Sequence, residues 1–278
     1  MKLKKCILAI IGFAIMSVGI FADKTKNQVE LTLSINWNFG LYKESTFSNI
    51  SQGIIAPRFQ LDTKIFSEDF LHKITADYFF AQPDSAMTNT AVVYKNYDPI
   101  SGESYYEGSQ SNLSFHRIRL QYDAVYDIWQ NEKLELYVGG NFACNAYLQF
   151  EHYPSITGLI SVGPASVLKC TIDDRNSLFL AGSMPLIGFG VRPPFAGCDA
   201  ELMKYAEEDF MKIFTLGKFL SLHNYQSLLL DFEYKVQASQ KFSTGLGVTF
   251  EYSRIAVPKE RPLYYLDGSL KTLISIIF

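Results

Sequence analysis

Strict alternation of apolar and polar residues, repeated along nearly the whole chain, limits this sequence more than any other feature. Val29, Leu31, Leu33, Ile35, Trp37, Phe39 and Leu41 interleave with Glu30, Thr32, Ser34, Asn36 and Asn38. Successive side chains of a β-strand point to opposite faces, so this stretch makes a ribbon with one greasy and one hydrophilic side. The pattern returns over about 54–66, 70–81, 113–127, 134–145, 162–172, 177–190, 222–236, 241–255 and 264–278. That predicts an all-β fold of about ten strands, with eight to twelve open because the connections near 97 and 205 have room for a hairpin.

Each segment is long enough to cross a bilayer at the usual tilt. The connections alternate in length. Those near 67, 130, 174 and 239 are short, and those near 47, 97, 155, 205 and 259 are generally longer, the asymmetry of periplasmic turns and external loops. A soluble β-sandwich also alternates, and would use the chain's 22 Phe and 17 Tyr in one core. Against it, every strand carries an apolar face over its full length. A sheet in hydrocarbon must close to pair its backbone groups, and an even antiparallel count lets first and last strands meet. The expected architecture is an antiparallel, up-and-down transmembrane β-barrel. Leu202, Ala206, Phe210, Ile213 and Phe214 recur at helical spacing, predicting a short amphipathic helix over Asp199–Leu216 in a long external loop.

The first residues read differently. Lys2, Lys4 and Lys5 precede an apolar run from Ile7 to Phe21, then Ala22 and Asp23, the order of a secretory signal. Residues 1–22 are expected to be cleaved, leaving 23–278 as the barrel domain. Cys6 precedes the apolar run, which argues against a lipid-modified cysteine. The mature chain carries 22 basic and 28 acidic residues, a net charge of about −6, which disfavours nucleic acid as a partner. Cys144, Cys170 and Cys198 have no metal-ligand spacing, and His72, His152 and His223 are scattered, so neither metal nor cofactor is expected. Cys144 and Cys170 are read as roughly opposite on neighbouring strands, either lipid-facing or able to bond if oxidised.

In these features the chain resembles bacterial outer-membrane β-barrel proteins. The resemblance rests on the amino-terminal segment, the ten alternating stretches, and the ending Leu270-Lys271-Thr272-Leu273-Ile274-Ser275-Ile276-Ile277-Phe278. In that family a last strand closing on an aromatic residue is read by the outer-membrane assembly machinery. The resemblance therefore implies Phe278 as an assembly signal and a diderm bacterium as the source; the chain is expected to be a monomer in the outer membrane with the lipids there as partners.

The polar faces collect Arg58, Lys64, Asp77, Arg117, Arg119, Asp123, Glu135, Asp231, Glu233 and Glu251, with Lys73, Lys169, Lys235, Lys271, Glu30, Asp62 and Asp267, as lumen-lining groups. Eight basic against nine acidic residues favours mutual pairing in a narrow interior. One reading is a salt-bridged plug in a structural protein; the other is a narrow porin-like pore for small solutes. Arg117 and Arg119 suit either an anion or pairing with Asp77, Asp123 or Glu135. An enzyme reading is weaker. Ser114 and His116 share a face near the outer rim, the spacing of a nucleophile and base for a lipid esterase, with no acidic residue evident to orient His116. Asp231-Phe232-Glu233 resembles part of the omptin protease site, but lies toward the periplasmic turn and no Asp-x-His follows. Surface adhesion through residues 82–112 is a further reading. Tyr126, Trp129, Tyr147, Tyr153, Tyr264 and Tyr265 fall near strand ends and are expected to form headgroup girdles.

Overall fold

The computed structural model describes residues 28–45, 52–81, 91–97, 104–110, 114–150, 155–192, 208, 212, 215–257 and 259–278. Its strands are β1 (Gln28–Glu44), β2 (Gln52–Phe66), β3 (Phe70–Ala81), β4 (Ala91–Tyr97), β5 (Ser104–Gln110), β6 (Ser114–Gln130) and β7 (Leu134–Phe150). They continue with β8 (Ser155–Thr171), β9 (Asn176–Ser183), β10 (Ile187–Val191), β11 (Lys218–Ser221), β12 (Tyr225–Ser239), β13 (Phe242–Ile255) and β14 (Leu263–Ile277). Ten of these, β1, β2, β3, β6, β7, β8, β9, β12, β13 and β14, pair in turn, and β1 closes the ring by pairing with β14. No strand edge of that ring remains open, which removes the unpaired row of backbone groups that hydrocarbon cannot tolerate.

The register sets the two faces. Trp37 stands beside Pro57 on one side and Leu270 on the other, and Leu33 beside Leu61 and Ile274, so apolar rows run around the outside. Leu33, Trp37, Leu246 and Leu270 are 55–63% exposed, whereas Arg58, Lys64 and Lys271 are at most 1% exposed. A soluble sandwich would show the reverse. With charges enclosed and large apolar side chains outside, the solvent of the outer face is lipid. The turns at 67–69, 131–133, 173–175 and 240–241 lie at the end that holds both strand termini, where Phe278 N donates to Val29 O at 2.9 Å. Asp173 tightens its turn by accepting from Arg175 N and Asn176 N, both at 2.8 Å. A further bond from the Asn176 side chain leads the causes that hold its carboxyl below the usual range.

The seventh strand is not the single run expected over 177–190. β9 and β10 both pair with β8, but Met184, Pro185 and Leu186 stand opposite only Gly163 and Pro164. This one-residue bulge holds a proline, which has no N–H for the ladder. Met184 N and Leu186 N still donate to Pro164 O and Val162 O, at 3.1 and 2.9 Å. The bulge folds inward over Gly163, whose absent Cβ would lie 2.3 Å from Met184 O. The eighth strand also differs from the expected 222–236. It starts earlier, as β11 against β10, then makes a turn in which Asn224 N donates to Ser221 O and Ser221 N to Asn224 Oδ1, and resumes at Tyr225.

Within the expected loop 82–112, β4 and β5 form a separate two-stranded hairpin. The expected helix over 199–216 falls almost wholly outside the described residues, as do the signal segment, Tyr153 and Cys198. Cys144 and Cys170 are not opposite one another. Cys144 pairs with Ile160 and Cys170 with Leu134, because the β7–β8 connection is centred five residues earlier than the cysteine pair would need. Ten residues of strand separate them, about 33 Å. A disulfide between them is excluded by geometry.

Candidate functional site: the filled lumen

Alternation places one side chain on the inside at every second position, and a ten-stranded ring is scarcely wider than one that side chains fill completely. Among the described residues, seven cations and eight carboxylates are buried. They sort into two layers.

The external layer contains the arginines. Glu251 on β13 accepts from Arg117 Nη2, accepts from Arg119 Nη1 at 3.3 Å, and lies 3.6 Å from Arg58 Nη2. Asp77 on β3 sits 2.5 Å from Arg119 Nε, and Asp267 on β14 accepts from Arg58 at 3.4 Å. The guanidinium fork offers five donors in a plane, which is why three such groups can share few carboxylates here.

The periplasmic layer contains the lysines. Lys271 Nζ donates to Asp231 at 2.6 Å and Glu233 at 2.7 Å. Lys64 reaches the other oxygen of Glu233 at 2.5 Å, Lys73 reaches Asp231 at 3.0 Å, and Lys235 bridges Glu30 and Glu233. Gly247 makes room for this, since a Cβ there would come within 2.9 Å of the Lys271 stem. Between the layers run links from uncharged donors: Asn36 donates to Gln60 at 3.0 Å, Gln60 to the Asp62 carboxylate at 2.7 Å, and Thr75 to the same carboxylate at 2.5 Å.

Above the arginines the interior turns apolar. Tyr42, Phe79, Phe115, Tyr147, Tyr225 and Tyr265 are at most 3% exposed and form one cluster with Ile54, Leu159, Leu220, Ile255 and Leu263. Phe115 lies 4.2 Å from the Tyr42 ring and 6.2 Å from Tyr265, while the Arg117 guanidinium stands 5.0 Å from the Tyr265 ring. Cation and aromatic faces thus meet beneath the outer mouth. Tyr147 and Tyr265 were expected in the lipid girdle and are instead inside. Tyr126 and Trp129 do face outward, 46% and 49% exposed. The inner aromatic layer was visible in the alternation. Phe115 precedes Arg117 by two residues and Tyr265 precedes Asp267 by two, so both have the inward parity.

The sequence-derived lumen residues divide accordingly. Arg58, Asp77, Arg117, Arg119 and Glu251 come together externally; Lys64, Asp231 and Glu233 meet at the periplasmic end. Arg117 and Arg119 take Asp77 from their expected partners and add Glu251. Asp123 is held by Gln121 at 3.0 Å and Asn141 at 2.5 Å, and Glu135 by Lys169 at 2.8 Å and Tyr137 at 2.6 Å. Lys169 and Lys235 line a periplasmic vestibule of about 230 Å³ with Glu30, Asp173 and Arg175. Ser114 and His116 lie on the outer face of β6 near its external end. His116 Nδ1 bonds the Tyr78 hydroxyl at 2.8 Å, and its ring lies 4.8 Å from Phe80. A phenol, not a carboxylate, occupies that nitrogen, so the bond lacks the orienting charge of a catalytic base.

A closed antiparallel cylinder with lipid outside and paired charges inside defines a transmembrane β-barrel of the bacterial outer-membrane kind. No protein-family model and no curated protein matches the sequence. Solved structures that resemble it in fold include the Neisserial surface protein A, with 9% identity over 88% of this chain and 96% of that one, at a TM-score of 0.36. The translocator domain of the autotransporter NalP from Neisseria meningitidis shows 9% identity over 99% and 97%, at 0.37. An outer-membrane channel from Pseudomonas putida F1 shows 6% over 91% and 96%, at 0.40.

Proposed function

We propose that this protein is an outer-membrane platform: a monomeric barrel with a closed lumen that anchors and presents its external segments. The observation that carries this reading is Glu251, clamped by Arg58, Arg117 and Arg119 directly under the aromatic layer. Any solute crossing the barrel would have to break those buried pairs, and separating one such pair leaves an uncompensated charge at a cost of about 3–5 kcal/mol. A lumen built for passage leaves charges solvated; this one pairs them across the bore. The secretory segment and the terminal Phe278 fit export and assembly into the outer membrane. The external segments, including the β4–β5 hairpin, are then the parts free to meet a host or another surface. Adhesion fits that placement better than lipid hydrolysis, since His116 is bonded to Tyr78.

The test is efflux from vesicles. Folded protein in liposomes loaded with a small sugar should give release no faster than empty liposomes. Rapid release that scales with protein would make the narrow-pore reading the right one.

A further inference from the structure

The outer wall is not uniformly rough. On β6, β7, β8 and the bulge before β10, one row of positions carries little or no side chain: Ala124, Gly140 and Pro164 stand side by side in register. The next row toward the external end is bulky, with Tyr122, Phe142, Val162 and Ile187 aligned across the same strands. Because Met184–Leu186 dip inward over Gly163, the wall recedes beside this row. The result is an apolar trough of about 610 Å³ on the lipid side.

Depth and charge select an occupant. From Ala124 to Gln130, the last residue of β6, the rise along the barrel axis is about 15 Å at 3.3 Å per residue and a 40° tilt. This places the trough near the middle of the hydrocarbon, at the reach of an acyl chain whose headgroup lies at the periplasmic surface. By the same tilt the foot of β6 lies about 13 Å to the side, so a chain reaching it follows the strand for about 20 Å. The turn there, between β6 and β7, is Asn131-Glu132-Lys133, with Glu132 and Lys133 both exposed. One anion and one cation, adjacent and solvent-facing, complement the ammonium and phosphate of a zwitterionic headgroup.

We propose that this trough is a specific lipid site that seats one acyl chain of a phosphatidylethanolamine from the periplasmic leaflet, with Lys133 on its phosphate and Glu132 on its amine. The site rests on the barrel reading but not on whether the lumen is closed. Hydrocarbon fills the space that Gly140 and the inward bulge leave, and the turn holds the headgroup in place.

Native mass spectrometry of the detergent-folded protein, titrated with 1-palmitoyl-2-oleoyl-phosphatidylethanolamine, tests it. The expected result is one saturable lipid adduct per chain. Gly140→Leu should weaken that adduct at least tenfold, because the position of a Cβ there has no neighbour nearer than 3.9 Å and the new side chain enters the trough. Ala124→Phe provides the same filling if the first variant does not fold, judged by heat-dependent gel mobility. Replacing Glu132 and Lys133 with Gln should reduce the preference for phosphatidylethanolamine over phosphatidylglycerol. The proposal is overturned by the absence of a one-to-one adduct, by an adduct indifferent to trough filling, or by a dimer that filling abolishes, which would make a second copy the occupant. Sugar efflux through the lumen would refute the platform reading and leave this result unaffected.

Discussion

Glu251 on β13 and Arg117 on β6 meet across the lumen, with Glu251 Oε1 accepting from Arg117 Nη2 between residues 134 positions apart in the chain. Neither side chain has significant contact with solvent. Strands far apart in sequence are thereby tied through the interior, and the tie is electrostatic where a soluble protein would use a hydrophobic core.

Removing that carboxylate should be costly. Glu251→Gln leaves Arg58, Arg117 and Arg119 with Asp77 and Asp267 alone, and the loss of a buried partner costs about 3–5 kcal/mol. Urea unfolding in phospholipid vesicles should show this as a lower midpoint with an unchanged slope. An unchanged midpoint would mean that the arginines are hydrated and the layer is open.

The lysine layer should behave as one coupled unit. Lys271→Met removes the one cation that bridges Asp231 and Glu233, leaving the first with Lys73 and the second with Lys64 and Lys235, whereas adding Glu233→Gln removes the repulsion that the first change exposes. The double variant should be more stable than the sum of the two single losses predicts, with a coupling of about 1–3 kcal/mol for residues in one network. Additive losses would show that the 2.6 and 2.7 Å bonds of Lys271 do not persist in the membrane.

Outside, the sign of the charge rule reverses. Leu270 is 60% exposed, beside Trp37 and Val248. Leu270→Arg puts an uncompensated cation into hydrocarbon, at about 2–4 kcal/mol near the bilayer midplane. The neighbouring inward position tolerates the opposite chemistry, since Lys271 is buried and paired. Vesicle unfolding should therefore show a large loss for Leu270→Arg; a negligible effect would put water against that face.

Much of this was legible in the chain because a period of two assigns each residue a face. Arg58, Lys64, Lys271 and Glu251 were placed inside, and Leu33, Trp37 and Leu270 outside, by parity alone. Parity does not give the third dimension. That Glu251 would meet Arg117, rather than Asp123 or Glu135, depends on the stagger of the strands around the ring, which no local pattern encodes. Tyr147 and Tyr265 lie near strand ends, where girdle residues sit, but their inward parity decides their place. Cys144 and Cys170 stand apart for a related reason: register depends on the centre of the connection, which lies five residues before the point their pairing would need. The bulge at Pro185 was signalled by the proline itself, but its inward fold required knowing that Gly163 lay opposite.

The two native tryptophans offer the most direct test of the inside-out arrangement. Trp37 lies midway along β1 and Trp129 beside the periplasmic turn, both about half exposed on the outer face. Trp129→Phe isolates Trp37, and fluorescence is then read in bilayers whose acyl chains carry bromine at shallow or deep carbons. Trp37 should be quenched most strongly by the deep bromines and little by aqueous acrylamide. Strong acrylamide quenching with no effect of bromine at any depth would place Trp37 in water and contradict the barrel.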